Sequence, residues 1–278
     1  MTTISVLTLT RNRTDHLNNL LKGLARASRL PDECVVVHMN EPTEALGKLP
    51  FPCRQYTYED KQEKLPLPMA RNVAAKRATG DILLFLDVDC IPARAMVAAY
   101  EKAIAQAPHA ILMGAVNYLT EDSKPLLQED WTEALLKTHS EPHPKRDASS
   151  LPPLSVENNY GLFWSLSFCL RRSLFDQLGG FSECYPSYGA EDTDFAWKAR
   201  AQNIPLLWVP DALSFHQYHP SPVPPWHNFE SIVHNAKIFY QRWQQWPMEG
   251  WLKVFADEGY LNWSLEGDSI EIIRLPNG

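Results

Sequence analysis

Short hydrophobic runs alternate with longer segments of helical periodicity along the first 120 residues. The runs are rich in Val, Ile, Leu and Tyr, and we predict that they form strands. The predicted strands are residues 4–9, 33–39, 53–58, 82–86 and 111–118. Alternation of strands and helices is typical of βαβ units, so the sequence predicts an α/β fold whose central sheet is mostly parallel and flanked by helices.

Three helical segments lie between these strands. Four leucines from Leu17 to Leu24 share one helical face, and Thr14 precedes them as a candidate N-cap. Further helices are predicted over residues 69–78 and 93–106. A sheet of this kind binds ligands at the carboxyl ends of its strands, and candidate functional residues are therefore expected there.

The alternation stops between residues 138 and 159, where prolines, serines and charges show no apolar period. This composition predicts a long loop. Such length inside a compact domain favours a function, and we predict a lid that closes over a bound ligand; an inert surface insertion is the alternative. Trypsin should then cleave after either Lys145 or Arg146 in the absence of ligand.

Regular structure resumes after this loop. A strand is predicted near residues 162–170, followed by a helix over 172–178. Gly179 and Gly180 then lead to an acidic segment, GAEDTDFAWKAR, that has helical character. A further strand is predicted over residues 212–215.

The C-terminal part is aromatic. Seven apolar residues between Phe229 and Trp243 recur at helical spacing, which favours a helix packed on the main body over an aromatic binding strip. A final hairpin, over residues 261–265 and 270–275, would add an edge to the sheet. The predicted organisation is a main domain, residues 1–220, with halves 1–120 and 160–220, and a helical and hairpin extension, residues 221–278.

Charge and composition restrict the function. With 278 residues and a formal net charge of −7, the chain lacks the basic stripe that tracks a phosphate backbone, and we exclude a nucleic-acid partner. No segment has the uninterrupted apolar length of a membrane span or of a secretory signal. The five cysteines include no Cys-x-x-Cys pair, which favours reduced thiols. We expect a cytoplasmic protein without an integral membrane segment.

Two acidic motifs are candidate sites. Asp87 and Asp89 directly follow a predicted buried strand, and their spacing would place both carboxylates on one side of an extended chain. Such a pair suits a divalent ion shared with phosphates, although an acidic turn would also explain it. Glu191, Asp192 and Asp194 begin a predicted helix, where acidic residues complement the dipole. Capping alone would explain all three, and Asp194 is expected to act as a cap.

Histidines and arginines follow two other predicted strands. His216 comes directly after residues 212–215, and its neutral ring would suit a transition metal; His219 is the reserve ligand. A satisfied structural histidine is the alternative. Arg11 and Arg13 follow the first strand, where guanidinium groups would hold a nucleotide or its diphosphate through paired hydrogen bonds.

These pieces, in this order, resemble the inverting GT-A glycosyltransferases of the family 2 type, in particular the β-1,4-galactosyltransferase and chondroitin-polymerase branches. The resemblance extends over most of residues 3–220 and is carried by five segments: LTRNR, VVVHMNEP, PMARNVAAKRATGDILLFLDVDCIP, GGFSECYPSYGAEDTDFAWKAR and SFHQYHP. It implies a GT-A fold, with a nucleotide-binding half in residues 1–120 and an acceptor and catalytic half in residues 160–220.

The resemblance also implies roles for single residues. Asp89 and His216 would bind Mn²⁺ or Mg²⁺, and Asp87 would bind the metal, its water or the ribose. Asp192 would take the proton of the acceptor hydroxyl as general base, while Glu191 would hold the acceptor or orient the loop. The residues implied in binding the nucleotide sugar are Thr10, Arg11, Arg13, Asn40, Arg71, Asp87, Val88 and Tyr188.

The implied reaction is transfer of a sugar, with inversion, from a uridine diphosphate sugar to a hydroxyl of a carbohydrate acceptor. Tyr188-Gly189-Ala190 stands where the galactosyltransferases have Trp-Gly-Gly, so donor and acceptor preference are not carried over. Two other functions fit the fold: a nucleotidyltransferase that makes sugar nucleotides, and a carbohydrate-binding protein without catalysis. The first would need a glycine-rich phosphate loop near the N-terminus, and LTLTRNR contains no glycine.

Overall fold

The hydrophobic runs form the strands of one large sheet. The computed structural model describes residues 2–60, 64–220 and 222–276. The strands in these ranges are β1 Ile4–Thr10, β2 Glu33–Met39, β3 Cys53–Tyr58, β4 Ile82–Leu86, β5 Cys90–Pro92, β6 Ile111–Leu119, β7 Ser140–Pro142, β8 Ser155–Glu157, β9 Ser167–Arg171, β10 Leu206–His216, β11 Leu261–Trp263 and β12 Ile270–Ile272.

Helices connect most of these strands and cover both faces of the sheet. In the described ranges they are α1 Thr14–Ala25, α2 Leu67–Arg77, α3 Met96–Gln106, α4 Lys124–Leu127, α5 Glu133–Thr138, α6 Arg172–Leu178, α7 Glu191–Ala201, α8 Phe229–Trp243 and α9 Glu249–Asp257. None of them combines the length and the apolar composition that crossing a bilayer requires.

The main sheet is mixed but mostly parallel. Its strand order is β3-β2-β1-β4-β9-β6-β10-β5, with β7 added beside β6 and β8 beside β10. The first four strands in this order are mutually parallel, as are β6 and β10, whereas β9 runs antiparallel between β4 and β6. The predicted α/β fold is confirmed. Because β1 and β4 are parallel neighbours, the segments that follow them open at the same edge of the sheet.

A hydrophobic layer lies on each face of the sheet. Beneath α2 and α7, a cluster of phenylalanines is closely packed: the rings of Phe181 and Phe195 are 4.4 Å apart, and those of Phe85 and Phe168 are 4.6 Å apart. On the opposite face α1 buries its leucines, and Leu17 is fully buried. Each such side chain contributes about 1.5–3 kcal/mol when removed from water. These layers hold the strand ends that carry the site.

Several elements of the structure differ in detail from the sequence-based prediction. Thr14 is not an N-cap: Arg13 occupies that position without a side-chain hydrogen bond, and the Thr14 hydroxyl donates to Glu44 instead. The strand predicted over residues 212–215 starts at Leu206 as β10, because residues 206–209 also pair with β6, before an irregularity between Val209 and Ser214. The hairpin near the C-terminus forms a separate two-stranded sheet and does not extend the main one.

The predicted loop over residues 138–159 is partly ordered. β7 and β8 lie inside it and pair with β6 and β10, respectively. Ala148 and Arg146 are buried, although the segment lacks apolar periodicity. Of the two candidate trypsin sites, Arg146 is therefore shielded and Lys145 is exposed. Pairing with the sheet, which supplies backbone hydrogen bonds whatever the side chains are, holds this segment in place.

Helix α8 ties the C-terminal extension to the acidic motif. The buried Asn235 amide donates hydrogen bonds to the carbonyl oxygens of Ser187 and Gly189, both at 2.8 Å. A third hydrophobic cluster then joins α8 to α9 and the small sheet, with Phe229 and Phe255 rings 4.9 Å apart. The predicted packing of this helix on the main body is confirmed. Contacts with α8 of the C-terminal extension therefore hold the loop before α7 in place.

Candidate active site

Asp87 and Asp89 lie in a tight turn at the carboxyl end of β4. The Cys90 amide donates to the Asp87 carbonyl oxygen at 2.8 Å, and the Asp87 amide donates to Leu166 at 2.8 Å. The expectation of an extended chain here was wrong, because β4 ends at Leu86 and β5 begins at Cys90 with the turn between them. Val88, a predicted nucleotide contact, is buried inside this turn.

Basic groups surround the Asp89 carboxylate. His16 Nδ1 is 2.8 Å and Arg13 Nε is 3.6 Å from Oδ1, while His219 Nε2 is 3.3 Å from Oδ2. Burial alone would raise the pKa of Asp89, but contacts with His16 and His219 and the charge of Arg13 lower it well below its usual range. Asp89 is therefore ionised at neutral pH.

Three side chains form a group with the chemistry of a metal site. One ligand atom each of Asp89, His216 and His219 lie within 4.8 Å of one another. Asp89 Oδ1 is buried and accepts no well-aligned hydrogen bond from the described residues, although His16 is close. A carboxylate with two imidazoles suits Mn²⁺ and similar transition metals. Asp87, also predicted as a ligand, lies outside this group.

The pKa values of the ionisable groups around Asp89 are shifted in different directions. Burial, followed by the charge of Asp89, raises the pKa of Asp87 to about 6. Burial also lowers the pKa of His216 to about 4, whereas the hydrogen bond to Asp89 raises that of His219. His216 is thus neutral at pH 7 and has a lone pair available, as a metal ligand requires.

Pairing of β10 brings the histidines to the aspartates. His216 is opposite Cys90 of β5 and Tyr118 of β6, and its ring stacks on Tyr118 with centroids 4.7 Å apart. The Gln217 amide then donates to the Asp89 carbonyl oxygen at 2.6 Å. The buried Gln217 side chain also donates to Val88 and His16. Sequence reasoning missed His16, which lies outside the quoted segments, and it gave no role to Gln217, although SFHQYHP contains this residue.

The acidic motif begins α7 beside Arg71 of α2. The Arg71 guanidinium donates to Glu191 at 3.0 Å and to Ser165 at 2.8 Å. The second Glu191 oxygen accepts from the Gly189 amide at 3.0 Å, and Glu191 is buried. Glu191 therefore closes the turn before α7. The predicted contact of Arg71 with a nucleotide would have to coexist with this ion pair.

Asp192 is the half-buried neighbour of that ion pair. Burial, followed by the charge of Glu191, raises the pKa of Asp192 to about 7, and the charge of Arg71 opposes this shift. The same Arg71 charge also opposes the rise in the pKa of Asp87. One guanidinium therefore lies within electrostatic range of both acidic motifs. A carboxyl group with a pKa near neutrality is suited to accept a proton at pH 7.

Asp194 does not cap α7. It is fully buried and accepts hydrogen bonds from Tyr185 at 3.1 Å, Arg242 at 2.9 Å and Trp243 at 2.8 Å, and from the Ser182 hydroxyl. The prediction of a cap was wrong because two of these donors, Arg242 and Trp243, come from α8, which is distant in sequence. Asp194 instead anchors α8 to the acidic motif.

The predicted nucleotide contacts of the first two strands lie at one sheet edge. Thr10 is opposite His38 in the parallel pairing of β1 and β2, and its buried hydroxyl has no hydrogen-bond partner among the described residues. Asn12 and Asn40 follow these strands with φ of 55°, a left-handed conformation that turns the chain sharply. Arg11 lies between Thr10 and Asn12 in this turn.

Tyr188 faces the extension. Its ring stacks on Trp251 of α9, with centroids 6.1 Å apart and an interplanar angle of 21°. Burial, followed by the charges of Glu191 and Asp192, raises its pKa, so the hydroxyl stays protonated. Tyr188 is therefore close to the acidic motif, and an aromatic pair stands beside the candidate base.

Residues 52–237 match the family described as glycosyltransferase-like family 2. The chain belongs to this family. The matched range is more than half of the sequence and includes both acidic motifs and His216. A curated relative, the validoxylamine A glucosyltransferase of Streptomyces hygroscopicus subsp. limoneus, is 26% identical over 226 residues, which are 73% of this chain. The chain spans about half of that relative, 49% of its length.

Solved structures show the same fold at low sequence identity. GalNAc-T7 with UDP, GalNAc and Mn²⁺ is 16% identical with a TM-score of 0.60, over 94% of this chain and 50% of that one. Residues 1–349 of TarS from S. aureus are 19% identical with a TM-score of 0.56, over 84% and 64%. The mannosyltransferase PcManGT from Pyrobaculum calidifontis with GDP-Man and Mn²⁺ is 19% identical with a TM-score of 0.52, over 86% and 62%. The likeness is one of fold, and it confirms the GT-A expectation; the two particular branches named from the sequence remain predictions.

Proposed function

We propose that the chain is a metal-dependent, inverting glycosyltransferase that moves a sugar from a uridine diphosphate donor to a hydroxyl of a carbohydrate acceptor. One observation carries this proposal. The group Asp89, His216 and His219 stands at the strand ends of a family 2 fold, and the charge of Arg71 acts both on the neighbouring Asp87 and on the candidate base Asp192. Relatives of the same fold are described with UDP, UDP-GlcNAc or GDP-Man, and two of them with Mn²⁺.

Separate groups of residues would bind the metal ion and the nucleotide. Asp89, His216 and His219 would hold the divalent ion, with Asp87 contacting its water or the donor ribose. The bound ion would supply positive charge to the leaving diphosphate. Arg11 and Arg13 would hold the nucleotide from the β1 turn, beside Thr10 and Asn40.

Asp192 acts on the acceptor. Its carboxylate takes the hydroxyl proton as the acceptor oxygen forms a bond to the anomeric carbon. The bond from that carbon to the donor phosphate breaks in the same displacement, and a nucleoside diphosphate leaves. Attack from the side opposite the leaving group inverts the anomeric centre, so no covalent intermediate with the protein is needed. Glu191, held by Arg71, keeps the start of α7 in position.

The test is a donor screen. The protein is incubated with Mn²⁺ and each of several UDP and GDP sugars, with and without simple glycosides, and nucleoside diphosphate release is measured. We expect release with at least one UDP sugar, abolished by chelation and decreased by Asp192→Asn. NMR of the product should show inverted anomeric configuration. Retained configuration would overturn the inverting mechanism, and tight binding of donors without release or transfer would favour the non-catalytic alternative.

A further inference from the structure

Arg146 is a buried cation without an anionic partner. It lies in the segment between β7 and β8, and 6% of its surface is exposed. Its Nε meets no hydrogen-bond acceptor, and the guanidinium forms no ion pair with any residue in the described ranges. A buried charge that has no ion-pair partner opposes folding, so its position calls for an explanation.

Two tryptophans enclose the guanidinium. Its central carbon is 5.1 Å from the Trp164 ring and 5.2 Å from the Trp208 ring. Both rings are held by their own hydrogen bonds: Trp164 donates to the Gly161 carbonyl oxygen at 3.2 Å and Trp208 to Glu157 at 3.0 Å. Aromatic faces attract a cation, but they leave its N–H donors unsatisfied. The charge is therefore positioned rigidly while its donors remain available.

Contacts connect Arg146 to both halves of the candidate site. Aromatic contacts lead from the metal group to it: His216 stacks on Tyr118, Tyr118 is 5.7 Å from His143, and His143 is 4.8 Å from Trp164. Burial lowers the pKa of Arg146, and the charge of Asp192 offsets part of this shift. The guanidinium is thus within electrostatic range of the candidate base.

We propose that Arg146 binds an oxyanion of the donor substrate, held between Trp164 and Trp208 at the point where the sugar meets its diphosphate. This assignment rests on the proposed function. The shared chemistry is an anionic oxygen that accepts from a guanidinium, and two parts of a donor supply it: the terminal phosphate of the diphosphate and a carboxylate on an acidic sugar. The bound ligand completes the site by pairing the charge.

The test uses Arg146→Met, which keeps the volume and the apolar stem but removes the charge. Arg200→Met is the matched control, because the exposed Arg200 guanidinium also lies over a tryptophan ring, 5.6 Å from Trp197. Calorimetry measures binding of UMP, UDP, UDP-glucose and UDP-glucuronate with Mn²⁺. We expect Arg146→Met to weaken binding of at least one ligand about tenfold or more while UMP binding stays unchanged.

The ligands separate the two sources. Loss of affinity for UDP and both UDP sugars identifies the phosphate, whereas loss for UDP-glucuronate alone identifies the carboxylate. Arg146→Lys keeps a charge and should recover part of the lost affinity. The ligand-free Arg146→Met protein should unfold at the same urea concentration as the parent or a higher one, because an unpaired buried charge has been removed.

Two results would overturn the assignment. Parental affinity of Arg146→Met for all four ligands would show that Arg146 contacts no substrate. A lower unfolding midpoint together with weaker binding of every ligand, UMP included, would make Arg146 a structural residue. If the parent itself binds none of these nucleotides, the proposed function fails and this assignment fails with it; binding by the parent and equally by the variant defeats the assignment alone.

Discussion

The Arg71 guanidinium donates to Glu191 across 3.0 Å, and this buried ion pair joins α2 to the start of α7. Both side chains are largely shielded from solvent, with 13% and 5% exposed. Because Glu191 also accepts from the Gly189 amide, the pair closes the turn that presents Asp192. Glu191 therefore stabilises the local structure next to the candidate base, Asp192.

The first prediction concerns this pair. Glu191→Ala should decrease the free energy of unfolding by about 3 kcal/mol, because Arg71 would remain buried without its partner. Arg71→Ala/Glu191→Ala should cost clearly less than the sum of the two single changes. Urea unfolding of the four proteins of this double-mutant cycle measures the coupling. Strict additivity would show that the two charges do not depend on each other.

The second prediction concerns pH. With a pKa of about 7, Asp192 carries a proton at lower pH and cannot accept one from the acceptor. We expect kcat/KM to rise about tenfold per pH unit below pH 7 and to level off above it. Asp192→Asn should lower kcat by roughly 10² to 10⁴ with little change in donor affinity and should lose this rise. Asp176→Asn, at an exposed position of α6, is the control and should keep the parental profile.

The third prediction concerns metal use. His216→Ala and His219→Ala should each raise the Mn²⁺ concentration needed for half-maximal activity, and Mn²⁺ should support more activity than Ca²⁺, because imidazole ligands suit a transition metal. Exposed His234 of α8 supplies the control His234→Ala. Titration of metal-free protein, followed by activity, gives the measurement. Activity that survives exhaustive chelation would contradict the metal site altogether.

The fourth prediction concerns the anchor at Asp194. Asp194→Ala leaves the Arg242 guanidinium and the Trp243 indole without their acceptor, so the free energy of unfolding should fall by about 3 kcal/mol or more. Asp257→Ala removes an exposed partner of Lys253 and should change it by less than about 0.5 kcal/mol. Thermal or urea unfolding distinguishes these two cases; equal effects would mean that Asp194 is not a structural anchor.

The fifth prediction concerns the segment between β7 and β8. Trypsin should cleave after the exposed Lys145 and spare the neighbouring Arg146, which is buried. If the segment closes over the donor, as its length led us to predict, UDP with Mn²⁺ should slow this cut more than either component alone. Mass spectrometry of the fragments identifies the bond. Equal cleavage rates in all four conditions would argue against a lid.

The periodicity of the chain was sufficient for most of the fold. β2, β3 and β4 have the predicted bounds. β2 and β4 are mostly hydrophobic runs, and β3 is a short segment that contains Tyr56 and Tyr58, so local information was enough for all three. The family motifs likewise pointed to Asp89, Asp192 and His216. These features depend on residues that are close together in the sequence.

Tertiary structure alone decided the contacts between distant segments. β5 and β8 are too short to show a period and exist because β10 offers them hydrogen bonds. The sequence predicted Asp194 as a cap, whereas in the fold Asp194 accepts a hydrogen bond from Arg242 of α8. The sequence also did not predict that Trp164 and Trp208 would enclose Arg146. Burial of a polar side chain is set by what packs over it, and that depends on chain segments whose proximity no local pattern records.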